Sequence, residues 1–338
     1  MHLMKMEVIM HSLKIVISTA AATLAALHCT SLFAQTAGNF PSKPITIVVP
    51  FTPGANADNE IRLYQEALKP YFRQPILVDN KPGGSGIIAA SYVAKAAPDG
   101  HTLMFVNSTN TILPALRKDL PYDLLRDFAP VILTTKNTFV LLASTAFAPR
   151  SFPEFIAYAK ARPGEVTWAT LGEGSTFHLV GAWLASTAGV KFTFIPYKGG
   201  GPAELDLVAG RINVVPKNLS ASLPGLKAGK VRALAVLTEE PSSALPDVKP
   251  VSEMGYPEFF YSAWIGLAAP TGTPTPIVDA LNSAVSRAIK TPDMQKRWAA
   301  QGSVAVGASP EAFRQFLVKE LAVWDRIIKE NNIKLDEM

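Results

Sequence analysis

The amino-acid sequence predicts an α/β protein with two lobes, each a mostly parallel β-sheet flanked by helices, and a ligand cleft between them. From Phe40 onward, short apolar runs rich in β-branched residues alternate with segments of helical periodicity. The alternation restarts near Phe139, and the residues after 270 have an almost entirely helical pattern. Two similar α/β units, each about 110–130 residues long, are typical of two lobes.

The first unit follows a β-α-β-α-β order. It is predicted to contain strands at 45–49, 76–78 and 102–106, helices at 59–69 and 87–96, and a glycine-rich loop at 81–86. The first helix has an apolar face made by Ile61, Leu63, Tyr64 and Leu68. Parallel strands need crossover helices, so this order predicts an open sheet covered on both faces. Ligands of such sheets bind at the carboxyl ends of the strands.

The second unit repeats the pattern and is followed by three helices. We predict strands at 139–143, 166–170, 192–195, 231–237 and 261–268, and helices at 151–161, 176–187, 202–209, 275–290, 292–301 and 310–331. Ser151 is expected to cap its helix, with Pro153 and Glu154 in the first turn. We expect lobe 1 to comprise 40–142 and 264–338, with the C-terminal helices packed on it, and lobe 2 to comprise 143–263.

Residues 1–34 have the pattern of a secretory signal peptide. Lys5 and Lys14 supply positive charge, residues 15–27 form an apolar core, and Ala34 precedes a plausible cleavage site. The alternatives are an uncleaved membrane anchor and a lipoprotein attached through Cys29. The signal peptide predicts a protein that is exported to the periplasm.

The composition excludes most catalytic and metal-binding functions. Cys29 is the one cysteine, and only His101 and His178 of the five histidines lie after residue 34, so we expect no metal site and no cofactor. Ser175 and His178 lie in a GEGSTFHL stretch that lacks the GxSxG pattern of a nucleophile elbow. We expect Ser175 to cap the following helix and His178 to hydrogen-bond the preceding loop. The net charge of +5 is spread along the chain, so no nucleic-acid surface is predicted.

Several predicted helices begin at the expected cleft. The stretch 45–58, ITIVVPFTPGANAD, is the clearest case, because a buried strand there runs through a tight loop into a helix. Free N–H groups and the helix dipole make such a start favourable for an anion. Similar starts are expected at 83–87, 107–109, 172–176 and 199–202, although the glycines at 199–201 would serve equally well as a flexible turn. The small hydroxyl side chains at these starts are Thr52, Ser108, Thr109, Ser175 and Thr176. This pattern favours a carboxylate held by hydrogen bonds.

A series of motifs extends this interpretation over nearly the whole chain after Phe40. In order they are PSKPITIVVPF, PGANAD, DNKPGGSG, APDGHTL, PYDLLRDFAPV, GEGSTFHL, PYKGGGPAELDLVAG, GKVRALAV and LNSAV. Together they resemble the Bug (Bordetella uptake gene) family, the TctC-like periplasmic substrate-binding proteins of tripartite tricarboxylate transporters.

The resemblance implies a type II-like periplasmic-binding-protein fold whose two lobes close on a ligand. It implies no enzymatic activity and capture of a small carboxylate, which would be a dicarboxylate, an acidic amino acid or an aromatic acid. It also implies TctA/TctB-like membrane permease subunits as partners, and we expect a monomer. The alternatives are a sensor subunit for a membrane signalling protein and an extracytoplasmic hydrolase.

The candidate ligand-binding residues come from two loops, with two additions. The resemblance implies contacts from the first strand–helix loop and from the GEGSTFHL loop. The complete set is Phe51, Thr52, Pro53, Gly54, Ala55, Asn56, Asp58, Ser108, Gly172, Gly174, Ser175, Thr176, His178 and Lys217.

The chain departs from the family pattern at three places. Ala55 replaces a usual glycine, and Lys81 replaces a usual arginine. Lys217 lies where relatives tend to have an acidic residue, in what we expect to be a loop facing the cleft. We hypothesise that Lys217 binds a distal carboxylate; the alternative is a solvent-exposed lysine.

Overall fold

A computed structural model describes residues 40–53, 56–300, 302–331 and 333. The predicted signal peptide and the loop residues Gly54 and Ala55 lie outside the described residues. Across the described chain, no helix combines the length and the apolar character needed to span a bilayer. The fold described below is that of the unit that begins at Lys43.

Strands and helices alternate along the described chain, as the sequence predicts. The strands are β1 Ile45–Val49, β2 Ile76–Asn80, β3 Thr102–Asn107, β4 Phe128–Ser144, β5 Val166–Thr170, β6 Phe192–Pro196, β7 Val214–Asn218, β8 Val231–Val236, β9 Ser262–Pro270 and β10 Ser303–Ala305. The helices are α1 Asn56–Leu68, α2 Ile87–Ala94, α3 Ser108–Leu116, α4 Phe152–Ala161, α5 Thr176–Ala188, α6 Gly200–Val208, α7 Leu219–Lys227, α8 Thr275–Ile289, α9 Pro292–Ala300 and α10 Pro310–Glu330. Short 3-10 helices lie at Gly84–Gly86 and Val251–Met254.

The strands form one mixed sheet in the order β2-β1-β3-β9-β4-β7-β5-β6, and β8 and β10 also pair with β4. The strands toward the two ends are parallel, because β1 pairs in parallel with β2 and β3, and β5 with β6 and β7. The central strands β4 and β9 are antiparallel to their neighbours. The predicted α/β sheets with flanking helices are therefore confirmed, and the antiparallel strands at the centre are an addition.

The long strand β4 joins the two halves of the sheet. Thr138 pairs with Ser262 of β9, and the next residue, Phe139, pairs with Asn218 of β7. The sequence predicted only 139–143 of this strand, because Pro130 and the polar stretch at 134–138 interrupt the apolar pattern. The polar residues are tolerated there because the hydroxyl of the fully buried Thr134 donates to a backbone carbonyl of β9.

Helix α10 packs on both halves of the sheet. Phe313 and Leu317, in its first turns, join the core around β1, β3 and β9. Trp324, in its later turns, packs against Trp183 of α5, with 5.9 Å between ring centroids. The last turns of α10 thus contact the 143–263 segment in addition to the packing on lobe 1 that the sequence predicts.

Candidate functional site

A cavity of about 1250 Å³ lies at the carboxyl ends of β3, β5 and β7. It is lined by Asn107 at the end of β3, Asn218 at the end of β7, and residues 173–177 after β5. The central strands contribute Phe139 and Trp264. The ends of β3 and β5 are among the strand ends at which the sequence placed its candidate loops.

The first helix start at the cavity is that of α3. Asn107 caps it reciprocally: its side chain accepts from Thr109 N–H at 3.1 Å, and its own N–H donates to Asn110 at 3.0 Å. Ser108 follows the cap, lines the cavity and is only 6% exposed. Its Oγ makes no hydrogen bond of normal geometry to any described residue. A buried hydroxyl in this state is available to a ligand.

The second helix start is that of α5, which the GEGSTFHL loop precedes. Ser175 caps it by accepting from His178 N–H at 3.4 Å, and its hydroxyl donates to Gly172 O at 2.6 Å. The Nδ1 atom of His178 accepts from Gly174 N–H at 3.1 Å. The predicted roles of Ser175 as a cap and of His178 as a loop support are therefore confirmed. Ser175 Oγ and His178 Nδ1 therefore bond the backbone and not each other.

Burial lowers the pKa of His178 below its ordinary value. The folded protein therefore binds fewer protons at His178 than the unfolded chain does, and stability falls as the pH drops below about 6.5. We expect His178→Asn, whose amide oxygen can still accept from Gly174, to lose less stability between about pH 7.5 and pH 5.5 than the wild type does. Urea unfolding at both pH values measures this difference, and an equal loss in both proteins would contradict the prediction.

A third hydroxyl, that of Tyr261, lies near the starts of α3 and α5. Tyr261, just before β9, is buried and lines the cavity together with Ser108 and Thr176. Burial raises the pKa of Tyr261, whereas the nearby hydroxyls of Ser108 and Thr176 act to lower it. Three neutral hydroxyls, brought together from α3, α5 and the segment before β9, thus surround one region of the cavity.

The first strand–helix loop has a different role among its described residues. Asp58 is 1% exposed, and its carboxylate accepts from Arg62 Nε at 2.9 Å and from Asn80 Nδ2 at 2.8 Å. Asn80 also donates to Phe51 O at 3.0 Å, so Asp58 and Asn80 tie the loop to β2. Phe51, Thr52, Pro53 and Asp58 do not line the cavity. Asn56 is the first residue of α1.

Lys217 lies within strand β7, so its expected place in a loop is wrong. Its Nζ donates to the Glu204 carboxylate on α6, and its side chain is only 13% exposed. Neither Lys217 nor Glu204 lines the cavity. The alternative of a solvent-exposed lysine is therefore also wrong.

The cavity contains residues that the sequence analysis missed, above all Glu60 and Tyr261. Glu60 could have been found, because it precedes the apolar Ile61 and lies one helical turn before Tyr64, which places it on the inner face of α1. Tyr261 had no such signal, since it follows an irregular segment. No group of three His, Cys, Asp or Glu side chains in the described ranges is arranged to hold a metal ion.

Comparisons with known proteins agree on one family. The family model for TctC, the tripartite tricarboxylate transporter family receptor, matches residues 61–333. The chain is similar to protein BugT of Bordetella pertussis, with 35% identity over 301 residues that cover 88% of this chain and 92% of BugT.

Two solved structures with bound acids resemble the fold. A protein of R. palustris with adipate has 34% identity and a TM-score of 0.72, covering 87% of this chain and 99% of that one. MatC from Rhodopseudomonas palustris with bound malate has 35% identity and a TM-score of 0.69, covering 86% of this chain and 100% of that one.

Proposed function

Since the chain belongs to the tripartite tricarboxylate transporter receptor family, we propose that it captures a small carboxylate in the periplasm and delivers it to TctA/TctB-like membrane permease subunits. The family is one of solute-binding receptors, and the resemblance to the Bug proteins is confirmed. Beyond family membership, we propose that the ligand is a small carboxylate and that residues 1–34 are a signal peptide. We also propose that the permease subunits are partners and that the protein acts as a monomer.

The observation that carries the carboxylate proposal is the set of three hydroxyls between two capped helix starts. Ser108, Thr176 and Tyr261 line the cavity, and the hydroxyl of Ser108 is buried without a normal hydrogen-bond partner. A carboxylate there would receive hydroxyl hydrogen bonds and the favourable ends of the α3 and α5 dipoles. Hydrogen bonds to a charged group contribute about 1.5–3 kcal/mol each, so the three hydroxyls would supply a large part of the about 8 kcal/mol that micromolar affinity requires.

The loops named in the sequence analysis complete the proposed site. On the family resemblance, we propose residues 51–58 and 172–178 for the two sides of the cleft. Residues 173–177 of the second loop line the cavity, whereas the described residues 51–53 and Asp58 of the first loop do not. Binding would work by population shift, because a ligand that touches both sides favours the closed arrangement. The related structures with adipate and malate support a dicarboxylate.

A thermal-shift screen of mono- and dicarboxylic acids, amines, amino acids and neutral sugars tests the function. We expect at least one small carboxylate to raise the melting temperature, because ligand binding to the folded state stabilises it. No amine or sugar should produce a comparable shift. A strong sugar response with no response to any acid would overturn the proposal, and turnover of generic esters would favour a hydrolase instead.

Lys217 is the member of the proposed site with the least support, because it can reach a ligand only if its ion pair with Glu204 opens. Titration calorimetry on Lys217→Ala tests its role. If the ion pair stays closed when the wild type binds its ligand, Lys217→Ala should show the same preference between mono- and dicarboxylates as the wild type. That result would remove Lys217 from the site. A selective loss of dicarboxylate affinity would instead show that the lysine binds the distal carboxylate.

A further inference from the structure

The cavity contains a buried acid that is not part of the proposed carboxylate site formed by the hydroxyls of Ser108, Thr176 and Tyr261. Glu60 lies on α1, lines the cavity and is 8% exposed. An ionised acidic side chain is unfavourable in a cavity that receives an anion, because two like charges in one desolvated site repel each other. The surroundings of Glu60 show how the two can coexist.

One oxygen of the Glu60 carboxyl group is held by hydroxyls. Its Oε1 atom accepts from Thr135 Oγ1 at 2.6 Å and from Tyr64 OH at 3.0 Å. Tyr64 OH also lies 2.9 Å from Thr134 Oγ1, which donates to Ile265 O. No described residue hydrogen-bonds the other oxygen, Oε2. The carboxyl group is therefore fixed in place with one oxygen still free to bond.

No described cation neutralises Glu60. From β4 it accepts a hydrogen bond from the uncharged Thr135, and the titratable group beside it on α1 is Tyr64, which packs on Trp298 of α9. The charged groups elsewhere on the cavity wall are Arg117, Lys118, Asp119 and Glu173, and Arg117 is already paired with Asp119. Burial accordingly raises the pKa of Glu60.

We propose that Glu60 makes the cavity selective for dicarboxylates. One ligand carboxylate is held by the three cavity hydroxyls, and the other shares a single proton with Glu60. The proton comes from solvent and bonds to Oε2, which then donates to the ligand oxygen. Binding therefore consumes up to one proton. This inference rests on the proposed function and adds to it the residue that recognises the second carboxylate and a linkage to pH.

Titration calorimetry with malate and adipate, in two buffers of different ionisation enthalpy, tests the inference by counting the protons taken up. We expect uptake approaching one proton per ligand in the pH range of coupling, with affinity falling by up to about tenfold per unit as the pH rises. A monocarboxylate such as butyrate, which leaves Glu60 unpaired, should take up clearly less.

Two variants separate Glu60 from other acids. Glu60→Gln keeps a hydrogen-bond donor and cannot titrate, so malate or adipate should still bind but without proton uptake or a pH slope. Glu320→Gln is the matched control, because burial also raises the pKa of Glu320, which accepts from Trp264 and Trp324 and does not itself line the cavity. It should retain the uptake. If Glu60→Gln fails to fold, the comparison of butyrate with the dicarboxylates in the wild type still tests whether the second carboxylate takes up a proton.

The results that would overturn this inference differ from those that would overturn the proposed function. Dicarboxylate binding without proton uptake, or uptake that persists in Glu60→Gln, would overturn this inference and leave the proposed function intact. A strong preference for an ammonium-bearing acid that Glu60→Gln abolishes would also overturn it, because Glu60 would then pair with a cation. Absence of binding by every carboxylate in the screen would overturn both proposals.

Discussion

Replacing Gly266 with alanine should lower the free energy of unfolding by about 3 kcal/mol, at the upper end of the usual cost of overpacking. Gly266 lies in the middle of β9, between Val106 of β3 and Leu133 of β4. A Cβ atom there would meet Ile132 O at 2.8 Å and the ring of Phe313, with Cε1 at 2.8 Å. The carbonyl belongs to the sheet, and the fully buried Phe313 packs on Trp264, so neither can move away without disturbing the core.

Gly200→Ala is the control for this prediction. Gly200 is the first residue of α6, and a Cβ atom there would meet nothing within 4 Å. We expect a change of less than about 1 kcal/mol, in the stabilising direction, because alanine favours a helix. Urea unfolding of both variants measures the contrast, and equal stabilities would show that α10 does not press on β9 as the structure indicates.

Ser108→Ala should weaken the binding of the carboxylate found in the screen by about 10- to 100-fold, which corresponds to the loss of one hydrogen bond to a charged group. Ser108 is buried in the cavity wall at the start of α3, and its hydroxyl has no normal hydrogen-bond partner in the described protein. Its removal should therefore cost the folded protein little stability, and its effect should appear in the ligand dissociation constant.

Ser144→Ala is the matched control, because Ser144 is also buried but accepts from the backbone N–H of Ala146 and does not line the cavity. It should reduce stability by about 1 kcal/mol and leave affinity unchanged. Calorimetry on the two variants, with melting temperatures recorded in parallel, separates the effects. A Ser108→Ala variant that binds as tightly as the wild type would show that the start of α3 is not part of the proposed carboxylate site.

The elements that the sequence predicted correctly are those governed by local chemistry. Strand β1 matches its prediction at both ends, because its β-branched residues are buried on both faces. The caps at Ser151 and Ser175 were also predicted, since a serine before a helical pattern satisfies a free N–H group within three residues. In contrast, β7 and α7 were missed, because Pro216 and Pro224 interrupt their local patterns.

The sequence alone therefore determined the order of most elements, the helix starts and the family resemblance, because each depends on residues close together in the chain. The tertiary structure alone decided which groups share the cavity. Lys217 of β7 pairs with Glu204 of α6 and does not line the cavity, whereas Glu60 of α1 does. Burial and partnering depend on contacts between distant segments, and these contacts decide whether a polar group is satisfied or free to bind a ligand.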